Sequence, residues 1–147
     1  MRVGVLGGSF NPPHVGHVLA AALVRSWGLV DRVLVMPVFV HPFAKDLAPF
    51  EQRLAMCERA FSLIDGVMTS DLERQLGGES LTLRTLRALV AQHPGDTFRL
   101  LIGSDVLPDL PKWHRFDLIE QLAPPLVFDR AGAAQDEGRV LLPQVSS

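Results

Sequence analysis

The chain has 147 residues, 48% of them hydrophobic and 20% charged, with a formal net charge of −2. That length and apolar content suit one globular domain with a sizeable core, and the charge balance excludes a general nucleic-acid binder, which would carry a basic excess or stripe. The single cysteine, Cys57, excludes an intrachain disulfide and a cysteine-rich metal cluster; set in an apolar helical pattern, it reads as a small buried hydrophobe.

The first element starts at once. RVGVLG (residues 2–7) is a β-branched run closed by glycine, a buried strand with no basic region and long apolar leader before it. No apolar run is long enough to span a bilayer, so a soluble cytoplasmic protein with no membrane partner is expected. Asn11 precedes Pro12 and is biased away from helix, while Pro13 suits a helix start. From there Val15, Val18, Leu19, Ala22 and Leu23 recur at helical spacing, and Gly28 ends the run. RVLVMPV (32–38) is a second strand, and the proline-containing loop VFVHPFAK follows it. PFEQRLAMCERAFSLI (49–64) places Phe50, Leu54, Cys57, Phe61 and Ile64 on one helical face. VMTS (67–70) is a short third strand, and LTLRTLRALVAQHPG (81–95) a helix closed by Pro94 and Gly95. FRLLIG (98–103), PPLVFDR (124–130) and RVLLP (139–143) supply a fourth, fifth and sixth strand. No internal repeat, low-complexity stretch or domain boundary interrupts the series.

Near-continuous apolar strands alternating with helices predict an α/β fold: a Rossmann-like open parallel sheet with helices on both faces. In such sheets ligands bind beyond the carboxyl ends of the strands. The chemistry-bearing residues fall at those ends: 7–17, His41 and Lys45 with the loop between them, Gly103 to Asp105, and Arg130.

The most informative stretch is GGSFNPPHVGH (7–17). It is not G-x-G-x-x-G, and no G-K-[ST] is present, so neither a dinucleotide fingerprint nor a P-loop applies. What remains is a glycine turn leading into a helix N-terminus, where free N–H groups and the helix dipole favour an anion, usually phosphate. Gly7 and Gly8 allow a ligand to approach the main chain. His14 and His17 lie three apart and share a helical face. The dipole there disfavours imidazolium, and a bound polyphosphate would reverse that balance and recruit both rings as donors. The pair suits a reaction that builds negative charge on phosphate oxygens. A structural role is the plain alternative. A metal site is another, and it would need a third ligand from His41, His93 or His114.

These residues resemble a known family. G-G-S-F-N-P-P-H-V-G-H is similar to the nucleotidylyltransferase signature G-x-[ST]-F-[DN]-P-x-H-x-G-H, in the form found in bacterial nicotinate-nucleotide adenylyltransferases. ESLTLRTL (79–86) is similar to their S-[YW]-T-x-x-T-L segment, LLIGSDVLPDLPKWHR (100–115) to their I-G-x-D…L-P-x-W segment, and FDRAG (128–132) to their R-x-G segment. The resemblance runs in order along nearly the whole chain.

It implies a single nucleotidylyltransferase domain over 1–147 that joins ATP to a pyridine mononucleotide and releases pyrophosphate, with Mg2+ carried on the ATP rather than held by a protein metal site. By the same resemblance His14 and His17 would steady the ATP phosphates. The backbone of Gly7, Gly8, Ser9 and Phe10 would line the site, and Gly103 and Asp105 would meet a ribose. Arg130 would face a phosphate or the nucleotide edge. Thr82 would hold the pyridine carboxylate through its main chain, Trp113 would stack on the ring, and Lys45 would reach the mononucleotide phosphate. Catalysis would come from alignment and charge neutralisation, because the attacking phosphate is already an anion and needs no general base.

Three departures from the pattern stand out. Leu81 occupies an aromatic position, and HPFAK replaces a loop of the P-P-H-K kind. Ser146 and Ser147 match the opening of a second, ATP-binding signature, I-S-S-T-x-x-R, at the end of the sequence. The expectation is a domain lacking its C-terminal segment, with weak turnover beside a longer form. Nicotinamide mononucleotide or phosphopantetheine as the acceptor remains an alternative to nicotinate mononucleotide, and so does a non-catalytic nucleotide-binding module. Nothing in the sequence sets an oligomeric state.

Overall fold

The structure, a computed structural model, describes residues 1–40, 46–78, 80–130 and 139–142, the side chains of Arg130 and of 139–142 excepted. In chain order the elements are β1 (Arg2–Gly8), α1 (Val15–Ser26), β2 (Arg32–Pro37), α2 (Phe50–Phe61), β3 (Val67–Thr69), α3 (Leu72–Leu76), α4 (Thr82–Gln92), β4 (Thr97–Gly103), a 3-10 helix (Ser104–Lys112), α5 (Phe116–Leu122), β5 (Pro125–Arg130) and β6 (Arg139–Leu142). The six strands form one sheet in the order β3-β2-β1-β4-β5-β6, and every neighbouring pair is parallel. The order reverses between β1 and β4, and the carboxyl ends at such a switch point are the place where doubly wound sheets bind ligands. The expected Rossmann-like sheet is therefore the observed one.

Period-two alternation divides the core between the two faces of the sheet. Val3, Val5, Phe98, Leu100 and Ile102 point to the face covered by Leu83, Leu86 and Leu89 of α4 and Ile119 of α5. Leu6, Val33, Val35 and Leu101 point to the other, with Ala21 and Val24 of α1 and Cys57 and Phe61 of α2. Gly4 lacks a side chain for a steric reason: a Cβ there would lie 3.2 Å from Leu101 on β4.

Two helical faces differ from expectation. The buried residues of α1 are Ala20, Ala21 and Val24, not the predicted stripe, and Val15 is exposed. The helix is apolar almost all round, so periodicity does not select a face; the two alanines do, because they let the helix axis approach the sheet closely. On α2 the buried set is Phe50, Arg53, Cys57 and Phe61, while Leu54 is only half-buried and Ile64 lies past the helix end. Neither α3 nor α5 was expected. At five and seven residues they are too short for a repeating pattern to stand out.

Candidate active site

The site is built where β1 and β4 end. Gly7 and Gly8 still pair with Met36 and Pro37 of β2, and the Gly8 carbonyl accepts from the Val38 N–H at 3.0 Å. The chain then leaves the sheet through Ser9 and Phe10. Phe10 has φ of 47°, in the left-handed region, which costs a non-glycine residue about 1–3 kcal/mol. Its ring is 2% exposed, packed edge-on against Phe61 with centroids 6.3 Å apart and against His17 at 4.8 Å. Burial of such a ring is worth about 1.5–3 kcal/mol, enough to hold the loop in that conformation.

His14 is the N-cap of α1, in extended backbone with φ −134° and ψ 176°. Its ring stacks on His17, with centroids 3.8 Å apart and planes 25° from parallel. The His14 backbone N–H donates to Nδ1 of His17 at 3.2 Å, the reach-back that an N3 side chain makes in a capping box. With Nδ1 accepting, the neutral His17 ring carries its proton on Nε2. Gly16 leaves room for the stack, since a Cβ there would lie 3.3 Å from the His14 ring.

His17 also continues the buried stripe of α1, one turn ahead of Ala20 and Ala21. Its pKa is pushed down to about 4, first by that burial and then by the charge of His14, with Asp105 pulling the other way. Imidazolium is thus disfavoured at His17 by burial and by His14, causes other than the helix dipole on which the expectation rested. The Asp105 influence also shows that the β4 end is brought to the histidines. Gly103 is buried, and a Cβ on it would lie 2.6 Å from the Asp105 carboxylate and 3.2 Å from the Phe128 ring. Asp105 lies within the first turn of the 3-10 helix, whose N-cap is Gly103.

The remaining predicted residues are distributed around this centre. Thr82 is the first residue of α4, and its N-cap is Leu81. The segment before it is tied to the loop after β2, because the Phe39 N–H donates to the Ser80 hydroxyl at 2.8 Å and the Ser80 N–H donates to the Val40 carbonyl at 2.9 Å. Trp113 closes the 3-10 helix, half-buried against the core and edge-on to Phe116 with centroids 6.3 Å apart. The backbone of Arg130 ends β5 beside Leu142 of β6. Lys45, Ser146 and Ser147, and His41 with them, lie outside the described residues. No group of three or more His, Cys, Asp or Glu side chains suited to a metal ion is found among the described residues, and no described helix is long and apolar enough to cross a membrane.

Three further residues shape this rim: Asn11 and Thr85 hold specified places in the motifs above, and Arg53 belongs to none of them. Asn11 holds the segment before α2 from both ends of its amide, donating to the Asp46 carbonyl at 3.3 Å and accepting from the Ala48 N–H at 3.0 Å. Thr85 donates to the buried carboxylate of Glu73, which joins α3 to α4. Arg53, 1% exposed, donates to carbonyls on both sides of the loop after β2. One cue to Arg53 was available: it falls three residues after Phe50 and four before Cys57, inside the apolar stripe.

A doubly wound parallel sheet with a glycine turn and a histidine pair at its switch point defines a nucleotidyltransferase. The model of the cytidylyltransferase-like family matches residues 5–142. A Myxococcus xanthus protein described as "Probable nicotinate-nucleotide adenylyltransferase" is 47% identical over 133 residues, covering 90% of this chain and 70% of the relative. One of the same description from Anaeromyxobacter sp. is 43% identical over 149 residues, covering 99% and 80%. The chain therefore belongs to the cytidylyltransferase-like family and, within it, to the nicotinate-nucleotide adenylyltransferases. The fold is shared with Plasmodium falciparum nicotinic acid mononucleotide adenylyltransferase complexed with NaAD, at a TM-score of 0.84 and 19% identity, covering 99% of this chain and 77% of that one.

Proposed function

We infer that this chain transfers the adenylyl group of ATP to nicotinate mononucleotide, giving nicotinate adenine dinucleotide and pyrophosphate, a reaction of NAD biosynthesis. The observation that carries the reading is the stacked His14–His17 pair at the start of α1, at the switch point of the sheet. The family names of the 47% and 43% identical relatives support the same substrates.

A phosphate oxygen of the mononucleotide forms a bond to the α-phosphorus of ATP. The bond from that phosphorus to the bridging oxygen breaks, and the electron pair leaves with pyrophosphate. No proton has to be removed from the attacking group, so the protein's work is alignment and charge stabilisation. Nε2 of His17 is the ring's available donor, because Nδ1 is occupied by the helix cap. Anionic oxygens beside the two rings would raise their proton affinity and strengthen them as donors while charge builds on the leaving group. Magnesium enters as part of the substrate, MgATP, neutralising phosphate oxygens and keeping much of its water.

In this reading Gly7, Gly8, Ser9 and Phe10 present backbone to the ATP phosphates, and Gly103 and Asp105 meet a ribose. Arg130, Ser146 and Ser147 complete the ATP side. Lys45, Thr82 and Trp113 form the acceptor side. The test is pyrophosphate release from MgATP with nicotinate and nicotinamide mononucleotide offered separately. Release with the nicotinate form, lost in His17→Ala, is the expected result. Preference for the amide would reassign the acceptor, and ATP binding without release from either would remove the reaction.

A further inference from the structure

Arg53 stands apart from the other arginines of the described chain. It is 1% exposed, and its nitrogens donate to main-chain carbonyls: Nε to Ala48 at 2.8 Å, Nη1 to Ser9 at 3.0 Å and to Val38 at 2.7 Å, and Nη2 to Phe39 at 3.4 Å. Its guanidinium carbon lies 5.5 Å from the centre of the Phe50 ring, and none of the ion pairs among the described residues includes it. A guanidinium stays charged even when buried. A cation kept without a carboxylate, directly under a loop that ends at a helix N-terminus, adds to the field that attracts an anion there.

The carbonyls it takes are not arbitrary. In a trans peptide the C=O and the following N–H point in opposite directions. Drawing the Ser9 carbonyl to Arg53 therefore turns the Phe10 N–H away from it. Drawing the Val38 carbonyl to the same nitrogen turns the Phe39 N–H away likewise, and that N–H is the one received by the Ser80 hydroxyl at 2.8 Å. Ser80 lies two residues before Thr82. One side chain on α2 thus sets the peptide orientation of the loop after β1 and, through Phe39 and Ser80, the entry to α4.

We propose that Arg53 is a positioning residue for both substrates: its fork fixes the Ser9–Phe10 peptide on the ATP side and the Val38–Phe39–Ser80 connection on the acceptor side. This rests on the adenylyl-transfer reading above. It touches neither nucleotide and acts through the backbone it holds.

The test compares steady-state constants of four proteins, each checked for folding by its thermal transition. Arg53→Lys keeps the charge and loses the fork; kcat is expected to fall at least about tenfold, with the KM for MgATP and for nicotinate mononucleotide both raised, since small misplacements of reacting groups are costly. Arg99→Lys is the control. Arg99 likewise donates to carbonyls, those of Pro124 and Pro125 at 2.6 and 3.1 Å, at the start of β5 and so at the far end of the strands from the carboxyl-end site, and its loss should lower Tm while leaving the constants within roughly twofold. Ser80→Ala removes only the hydroxyl that receives Phe39 and should raise the acceptor KM while the ATP KM stays unchanged.

A folded Arg53→Lys with the parent's constants would overturn the proposal, as would equal kinetic losses in Arg99→Lys. If Arg53→Lys does not fold, Ser80→Ala decides: an acceptor KM equal to the parent's overturns the proposal, and a selective rise supports it. A folded parent chain that releases no pyrophosphate overturns the adenylyl-transfer reading itself, and this proposal falls with it.

Discussion

The rings of His14 and His17 lie face to face, 3.8 Å between centroids, and the backbone N–H of the first is bonded to the ring of the second. One residue caps the helix and the other receives that cap. The arrangement makes the pair interdependent, so each ring's position is a consequence of the other's.

Removal of either ring should cost about 10²–10³-fold in kcat, the range seen when a single stabilising donor is lost. His17→Ala should also lower Tm, because it removes the acceptor of the His14 N–H and the ring that packs on Phe10. His14→Ala leaves that backbone bond in place and should lower Tm less. Steady-state rates and thermal melts of the two variants check both statements; equal Tm losses would contradict the structural asymmetry.

Gly16→Ala separates stability from activity. Gly16 lies in the first turn of α1, where alanine gains over glycine some part of the about 1 kcal/mol seen in a helix interior, but its Cβ would press the His14 ring at 3.3 Å. Tm is expected to hold or rise while kcat falls. A variant with the parent's activity would show that the ring stack is not needed for turnover.

The pH dependence follows from His17. Its pKa is near 4 in the folded chain, with burial the main cause, and near 6.5 once unfolded. Between those values the unfolded state binds the extra proton. Stability from this group is therefore complete above pH 6.5 and is lost as pH falls toward 4. His17→Gln, which does not titrate, should show a flatter fall of Tm across that window. An NMR titration of the ring should place its pKa near 4 in the free protein and higher with MgATP bound; parallel Tm curves for parent and variant would argue against the assignment.

Gly103→Ala should act on binding more than on folding. The new Cβ displaces the Asp105 carboxylate, a movable exposed group, and asks the Phe128 ring to give by a few tenths of an ångström. We expect a raised KM for MgATP with a small loss of Tm. A larger effect on Tm than on KM would mean that Phe128 cannot yield.

Cys57 is fully buried on α2, and burial pushes its thiol up to about 12. Thiolate is the reactive form, so a disulfide reagent should leave the native protein unmodified at pH 8 and label one thiol per chain after unfolding. Rapid labelling of the folded protein would contradict the packing of α2 on the sheet.

Much of this was legible in one dimension. Parallel strands buried on both faces write themselves as continuous β-branched runs, and strand-to-helix junctions place ligand-binding residues at glycine turns, so the fold class and the 7–17 loop could be read directly. The histidine pair was legible because it is local: residues three apart at a helix start share a face whatever surrounds them.

What only the tertiary structure decided was which face, which partner and which proton. An α1 that is apolar almost all round has no preferred side until its alanines meet the sheet, and that choice buries His17 and lowers its pKa. Arg53 reads as an ordinary charge on an amphipathic helix until Ser9, Val38 and Phe39 are folded around it, 44, 15 and 14 residues away in sequence. Local pattern reports backbone periodicity. Desolvation and long-range hydrogen bonding depend on neighbours that only the folded sheet and its helices bring within reach.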